Sequence, residues 1–353
     1  MLKSNHSIAI VRSSNKELSS MGQNSADAVK DVLAKHYKRV NIFIIDTSSD
    51  LQALVNIRPD LVFLGLEFIP SNPALGVDDP NKLWLADYLD QNNIAHTGSS
   101  YQAYELGRDK RLAKQRVLDA NLMTAAFFVL KRGQIIKEDE VSLNYPLFVK
   151  PLSRGGGLGI DLQSVVHDYK QLIAKTTSIA TEFHSDSLIE EYLDGREFSV
   201  AVLKDGTEPD AGYLVMPIEL IAPLDSSGVR ILSSAVKSAD AEVAVAVNDR
   251  ILKSQLSELA LNVFNVLGAS DYGRVDIRLD RSGLAHFLEV NLIPSLISGY
   301  GSFPKACVLN INLKYEPMIL RIAKLGLARR SYVRLAHTDH LRLSAAVANP
   351  AVY

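Results

Sequence analysis

Between Tyr272 and Asn291 the chain runs through two stretches of period-two alternation, Tyr272-Gly-Arg-Val-Asp-Ile-Arg-Leu-Asp280 and Leu284-Ala-His-Phe-Leu-Glu-Val-Asn291, separated by Arg281-Ser282-Gly283. Successive strand side chains point to opposite faces, so Arg274, Asp276 and Arg278 fall on one side and Val275, Ile277 and Leu279 on the other. Two such half-buried runs read as an antiparallel hairpin. With Ser282-Gly283 as a two-residue turn, Arg281 pairs with Leu284, and counting back sets Asp276 opposite Glu289 and Arg274 opposite Asn291. All four polar groups then share one face.

Carboxylates directly opposed across two strands, roughly 5 Å apart at Cβ, repel unless something positive lies between them. A divalent cation is one remedy, and Asp276, Glu289 and Asn291 offer hard oxygen donors that suit magnesium or manganese better than zinc. The other remedy is Arg274 and Arg278 neutralising a solvated sheet face. On this segment alone the two stand level.

The rest of the chain sets the frame. Its 353 residues, 47% hydrophobic and 22% charged, are enough for two to three domains with a sizeable core. Lys+Arg 38 against Asp+Glu 40 leaves a net charge of -2, so neither nucleic acid nor an anionic membrane is an expected partner. The single cysteine, Cys307, lies in an apolar run and reads as a buried small hydrophobe, which excludes a disulfide framework. The apolar stretch Ile8 to Val11 is too short for a signal segment, and no window reaches membrane-spanning length, so a cytoplasmic location is expected. A homodimer is compatible with such a chain.

Over the first hundred residues short β-rich runs (Ser7 to Val11, Val40 to Asp46, Leu61 to Leu66) alternate with a helix over Ser25 to His36, which implies a parallel sheet with crossovers. Helices are expected over Pro80 to Asn92 and from Tyr101 to Asn121. After Phe127 an α+β texture takes over: a strand at Tyr145 to Pro151, a helix near Val166 to Thr176, then β-rich runs at Ser187 to Leu193 and Arg196 to Leu203 separated by the turn dipeptide Asp194-Gly195. A strand near Tyr213 to Ile221 and a helix over Asp249 to Leu267 follow. The tail over 329–353 reads as a surface helix with a frayed end and is assigned no function.

In Lys150-Pro-Leu-Ser-Arg-Gly155-Gly156-Gly157-Leu-Gly159 a lysine ends an apolar strand, and glycines then free backbone N–H groups to approach an anion. Such a loop can cradle phosphates, although its spacing is neither that of a P-loop nor that of a dinucleotide fingerprint. Taken alone, a glycine-rich turn is more often a flexible hairpin and a lysine such as Lys110 more often solvated. Leu188-Ile-Glu190-Glu191-Tyr192-Leu193 through Glu197 offers backbone and acidic groups for an adenine and a ribose, or else forms a charged edge strand.

Taken in order, Asp109-Lys110, Phe148-Val-Lys150-Pro with its glycine loop, Ile189-Glu190 through Glu197-Phe, Gly273-Arg274-Val-Asp276 and Glu289-Val-Asn291 with Pro294 resemble the ATP-grasp superfamily, and within it the D-alanine-D-alanine ligases. The resemblance runs from about Ile8 to Leu325. It implies a mixed α/β and α+β ATP-grasp architecture: a Rossmann-like domain over 1–108, a central lobe over 109–195 and a C-terminal lobe over 196–328, the two lobes clasping ATP. By that resemblance Lys110, Lys150 and the loop at Gly155, Gly156 and Gly157 meet the phosphates, Glu190, Glu191, Tyr192 and Leu193 line the adenine, and Glu197 takes the ribose. Asp276, Glu289 and Asn291 would hold two magnesium ions, with manganese a substitute. Arg274 would face the carbonyl under attack, and Lys237 would reach the γ-phosphate.

The implied chemistry is ATP-dependent joining of a carboxylate to an amine through an acyl phosphate, with amino acids or small peptides as substrates. The substrate half departs from the family pattern. The Ser-Ala-Glu segment becomes Ser13-Ser-Asn-Lys-Glu17, the His-Gly turn becomes Gly65-Leu-Glu67, and Thr-x-Pro-Gly with its later Ser-Leu becomes Leu292-Ile-Pro294-Ser295 and Ser298-Gly-Tyr-Gly-Ser302. Glu17, Ser295, Ser298 and Ser302 are the substrate-binding candidates, and a product other than D-alanyl-D-alanine is expected. The alternatives are an orthodox D-alanine-D-alanine ligase and a nucleotide-binding protein without ligase activity.

Overall fold

The computed structural model describes residues 2–224, 228–239 and 241–329, so of the tail only Arg329 falls within it. β1 (Ser4–Arg12), α1 (Gln23–His36), β2 (Tyr37–Ile44), α2 (Ser48–Ile57) and β3 (Leu61–Leu64) form a parallel sheet in the order β2-β1-β3. The helices supply the crossovers that parallel pairing requires. Thr47 and Asp50 close a capping box at the start of α2.

Two of the expected helical stretches that follow differ from expectation, one at its start and one in its middle. Residues ahead of Leu85 pair instead as a ladder, β4 (Phe68–Pro70) with β5 (Lys82–Trp84), and α3 (Leu85–Gln91) begins only after it. The stretch from Tyr101 is split into α4 (Tyr101–Arg108) and α5 (Lys110–Asp119). Asp109 takes extended backbone, and its carboxylate accepts from the Arg111 and Leu112 N–H groups as the cap of α5.

β6 (Phe127–Leu130), β7 (Leu147–Pro151), β8 (Val165–Val166), α6 (Tyr169–Glu182) and β9 (Ser187–Glu191) make a second unit, an antiparallel sheet in the order β6-β9-β7-β8. α6 starts later than expected because Val165 and Val166 pair with β7, and Asp168 caps the helix through the Gln171 N–H. Leu147, Val149, Leu172, Ile179 and Ile189 give this unit a core of its own.

Asp194-Gly195 joins β9 to β10 (Glu197–Lys204), but those strands belong to different sheets. The chain passes here into a five-stranded antiparallel sheet, completed by β11 (Tyr213–Ile221), α7 (Ser234–Ser238), β12 (Val243–Ala246), α8 (Arg250–Val266), β13 (Tyr272–Leu279), β14 (Ala285–Asn291), α9 (Ser302–Ile311) and α10 (315–329), with strand order β12-β11-β10-β13-β14. Phe198, Val200 and Val202 pack with α8, while the intervening Ala201 and Leu203 pack with α9, so the sheet is covered on both faces. Cys307, on α9, is fully buried, and burial pushes its thiol up to about 12. Among the described residues no helix is long and apolar enough to cross a membrane.

The crossing point is tight. The Gly195 N–H donates to the Leu279 carbonyl at 3.1 Å, and a Cβ at Gly195 would lie 2.5 Å from that oxygen. Gly195→Ala is therefore expected to cost about 1–3 kcal/mol through overpacking. A lowered urea midpoint with unchanged slope would report it, and an unchanged midpoint would show that the junction yields.

Candidate active site

The hairpin brings Arg274 opposite Asn291 and Asp276 opposite Glu289, the pairs counted from the sequence, but by a different route. Arg281 does not pair with Leu284. Leu279 faces Ala285 and the Asp280 N–H donates to the Leu284 carbonyl, so the turn comprises Arg281, Ser282 and Gly283, with Gly283 at φ 87°. A three-residue hairpin needs that left-handed position, and Asp280 reinforces the turn by accepting from the Ser282 hydroxyl and the Leu284 N–H. The shift this introduces is cancelled by a bulge, in which Leu288 is the extra residue between the partners of Ile277 and Asp276.

Cations from several elements answer the expected repulsion between the two carboxylates. Arg274 grips Asp276 through Nε at 2.9 Å and Nη2 at 2.7 Å, and the Ser199 hydroxyl adds a bond at 2.8 Å. Burial works to raise the Glu289 carboxyl, but Lys110, Lys150, Lys237 and Arg274 around it outweigh that and hold it down at about 2. Arg278 turns to Glu197, 3.0 Å away. Burial nonetheless raises the Glu197 carboxyl, with the Arg278 charge opposing.

Behind this face lies an ion triad that the sequence reading did not single out in full. Lys150 Nζ lies 2.5 Å from Glu190 Oε2, and Lys114 Nζ contacts Glu190 Oε1. The three side chains are 5%, 3% and 0% exposed, in the order Lys150, Glu190, Lys114. Lys114 also donates to the Thr124 hydroxyl at 2.6 Å, and that hydroxyl donates to the Phe287 carbonyl at 2.7 Å. The signal for Lys114 was its spacing: it follows Lys110 by one helical turn and so shares its face. Lys110 itself donates to the Arg154 carbonyl at 2.5 Å and the Leu152 carbonyl at 3.3 Å, tying α5 to the start of the glycine loop. Burial depresses it to about 8, although Glu289 lies only 3.7 Å away.

Two connected spaces open around these groups. A slot is walled by Phe148, Tyr192, Leu193, Ile231 and Leu288, with Lys150, Gly157, Glu190, Glu191 and Glu289 along its length. Phe148 and Tyr192 stack at 6.4 Å with an 18° interplanar angle, and the Arg278 guanidinium sits 5.4 Å over the Tyr192 ring. Glu190 reaches the slot with its carboxylate already held between the two lysines. The second space, a cavity of about 410 Å³, is reached by Glu17, Gly155, Gly156, Arg274, Asn291, Ser295 and Ser302, and it shares Glu197, Lys237 and Asp276 with the slot. Ser298 is exposed and borders neither. Arg274 Nη1 donates to the Ser302 hydroxyl at 3.1 Å, and Arg154 pins the glycine loop by a two-pronged bond to Asp78 at 2.6 Å.

Phe148, Leu288 and Arg278 complete the slot without having been expected there. Phe148 follows from strand alternation with Lys150, whereas Leu288 faces the slot only because of the bulge. Among the described residues no group of three or more His, Cys, Asp or Glu side chains is placed to hold a metal. The all-oxygen set of Asp276, Glu289 and Asn291 fits a hard divalent cation, with the ionised Glu289 as its most available donor.

Comparison with known proteins bears on the family and the fold. The family model described as D-ala D-ala ligase C-terminus matches residues 117–324. An uncharacterized protein of Sinorhizobium fredii is 32% identical over 213 residues, and the match spans 59% of this chain and 60% of that relative's length. The D-alanine--D-alanine ligase of Glaesserella parasuis is 31% identical over 245 residues, covering 69% of this chain and 75% of that protein. Among solved structures, the D-alanine--D-alanine ligase of Bacillus anthracis complexed with ATP superposes with a TM-score of 0.71 at 19% identity, covering 93% of this chain and 99% of that one. The fold is therefore the ATP-grasp fold expected from the sequence.

Proposed function

The chain belongs to the D-alanine-D-alanine ligase family, and from that premise we propose that it is an ATP-dependent ligase that joins a carboxylate to an amine, with amino acids or small peptides other than two D-alanines as substrates. One observation carries the reading: Lys237, Asp276 and Glu197 border both the stacked-aromatic slot and the 410 Å³ cavity, so nucleotide and substrate would meet at the cationic face of the hairpin.

Phe148 and Tyr192 offer flat surfaces for the adenine, with Glu191 and Leu193 beside them, and Glu197 offers its carboxylate to the ribose. Lys150 and the backbone of Gly155 to Gly157 take the phosphates. Lys110 holds the loop that covers them, and Lys237 reaches toward the γ-phosphate. Asp276, Glu289 and Asn291 would hold magnesium or manganese, which when bound screens the charge on the phosphate oxygens. The substrate carboxylate oxygen attacks the γ-phosphorus and ADP leaves; the amine nitrogen then attacks the acyl carbon, inorganic phosphate leaves and the amine loses a proton. Arg274 supplies a positioned positive charge for the oxygen developing at that carbon. Exclusion of water around the acyl phosphate protects it from hydrolysis.

Lys150→Ala is expected to weaken nucleotide binding about tenfold or more and to lower turnover as well, since a phosphate-facing lysine acts in ground and transition states alike. Calorimetry with ATP and magnesium reads it. Unchanged nucleotide affinity would move the phosphate site away from this loop.

The substrate assignment is tested by mass spectrometry after incubation with ATP, magnesium and D-alanine. Little D-alanyl-D-alanine is expected, because Glu17 lies exposed on the cavity rim and Glu67 is paired with Arg108 at 3.4 Å. Each unpaired charged group of a small substrate in a closed site costs about 1–3 kcal/mol. Dipeptide formation at about 1 per second or faster would overturn the assignment.

A further inference from the structure

We infer that the carboxylate donor is an amide-bearing chain longer than one amino acid, in its simplest form a dipeptide, lying in a second cleft and passing the Glu67–Arg108 pair to present its carboxylate in the inner cavity. This rests on the ligase reading above. The second cleft, about 580 Å³, runs between the β4–β5 ladder and the start of α5, and it shares Val77, Arg108 and Ser153 with the inner cavity. The two spaces therefore adjoin at Arg108, whose Nη1 lies 3.4 Å from Glu67 Oε2.

A free amino acid held in the inner cavity would bring an ammonium that needs a carboxylate. Glu67 already neutralises Arg108, and Glu17 is exposed, where water screens an ion pair to little value. Glu242, in the segment leading into β12 on the same cavity wall as Lys237, is left for the attacking amine. An acylated nitrogen carries no charge and needs no such partner. Its carbonyl oxygen is instead a hydrogen-bond acceptor, and the cleft supplies donors at the matching place. Lys82 Nζ lies 5.2 Å and the Arg108 guanidinium 4.7 Å over the same ring, that of Phe68. Burial, and then the neighbouring Arg108 charge, lower the Lys82 ammonium below its ordinary value. Lys82 Nζ donates to the Asp79 carbonyl at 2.5 Å and Arg108 Nη1 faces Glu67, and the remaining N–H groups of both cations are the donors offered to that carbonyl oxygen. Leu83, Trp84 and Leu112 give the same cleft an apolar wall for a side chain.

The test compares donors with one amine acceptor on the purified chain, in ATP and magnesium, with ADP release as the readout. Free amino acids are set against their N-acetyl forms and against dipeptides ending in the same residue. The amide-bearing donors are expected to exceed the free amino acid at least about tenfold in kcat/KM. Leu112→Trp, which fills the cleft from the exposed face of α5 and touches neither nucleotide nor hairpin, is expected to raise KM for the dipeptide about tenfold. The ATP KM and any turnover of the free amino acid stay unchanged. Ser71→Trp, on the opposite wall, serves if that variant does not fold. Free amino acids matching or exceeding the longer donors, or cleft variants that shift both donors alike or neither, would overturn this inference and leave the ligase reading standing. ADP release with no donor at all would overturn the ligase reading with it.

Discussion

Glu289→Ala is expected to lower substrate-dependent ADP release by about 10²–10³-fold or more, comparable with the loss of a preorganised transition-state contact. The reason lies in the company Glu289 keeps. Lys110, Lys150, Lys237 and Arg274 surround it, and its carboxyl stays ionised to about pH 2, so it is the available hard anion on a face otherwise crowded with cations. Asp276 has already been taken by Arg274 and Ser199. Removing Glu289 therefore takes away the proposed metal ligand and also leaves Lys110 without the carboxylate 3.7 Å away, while Lys150 keeps Glu190. Deleting one of two opposed carboxylates would ordinarily relieve repulsion and stabilise the hairpin, but here no relief is expected and a modest loss of stability is. Circular dichroism establishes that the variant is folded, and a coupled ADP assay reads the loss. Near wild-type turnover would remove the metal assignment and leave the hairpin face as a structural ion network.

Glu190→Gln is expected to destabilise the fold by about 3–5 kcal/mol, because it strands two buried lysines that its carboxylate now holds. Lys114→Met should cost clearly less, since it leaves Glu190 and Lys150 as a neutral pair and replaces the lysine stem with apolar volume. Denaturant melts of both variants give the comparison. Equal losses would mean that the charges do not set the cost, and that packing around α5 and β9 does.

Much of this architecture was legible because alternation and glycine placement are local. The pairs Asp276 with Glu289 and Arg274 with Asn291 were read from the sequence, yet the turn that was to set them was misplaced by one residue and the bulge at Leu288 restored the count. The bulge's local mark is a change of phase at the adjacent apolar pair Phe287-Leu288, with the buried Phe287 and Val290 three residues apart, which a count of uninterrupted alternation passes over. The split at Asp109 was missed because a long amphipathic stretch hides a cap in its middle, although Asp is itself an N-cap residue and the basic Arg108 just before it suits the end of a helix. Asp194-Gly195 was seen as a turn, but no local rule says that the strands on its two sides enter different sheets. Charge neutralisation was the least legible feature. The cations that answer Glu289 come from α5, β7, α7 and β13, and only the fold brings them together. Ser298, grouped with Ser295 and Ser302 by the resemblance, is exposed.

The most direct test of the central claim is ADP release by the purified protein with ATP and magnesium across a panel of L- and D-amino acids and dipeptides, with the mass of each product recorded. ADP is expected to appear only when a carboxylate donor and an amine acceptor are both present, with a product equal in mass to the two substrates less one water and distinct from D-alanyl-D-alanine. Nucleotide binding without any substrate-dependent ADP release would contradict the account.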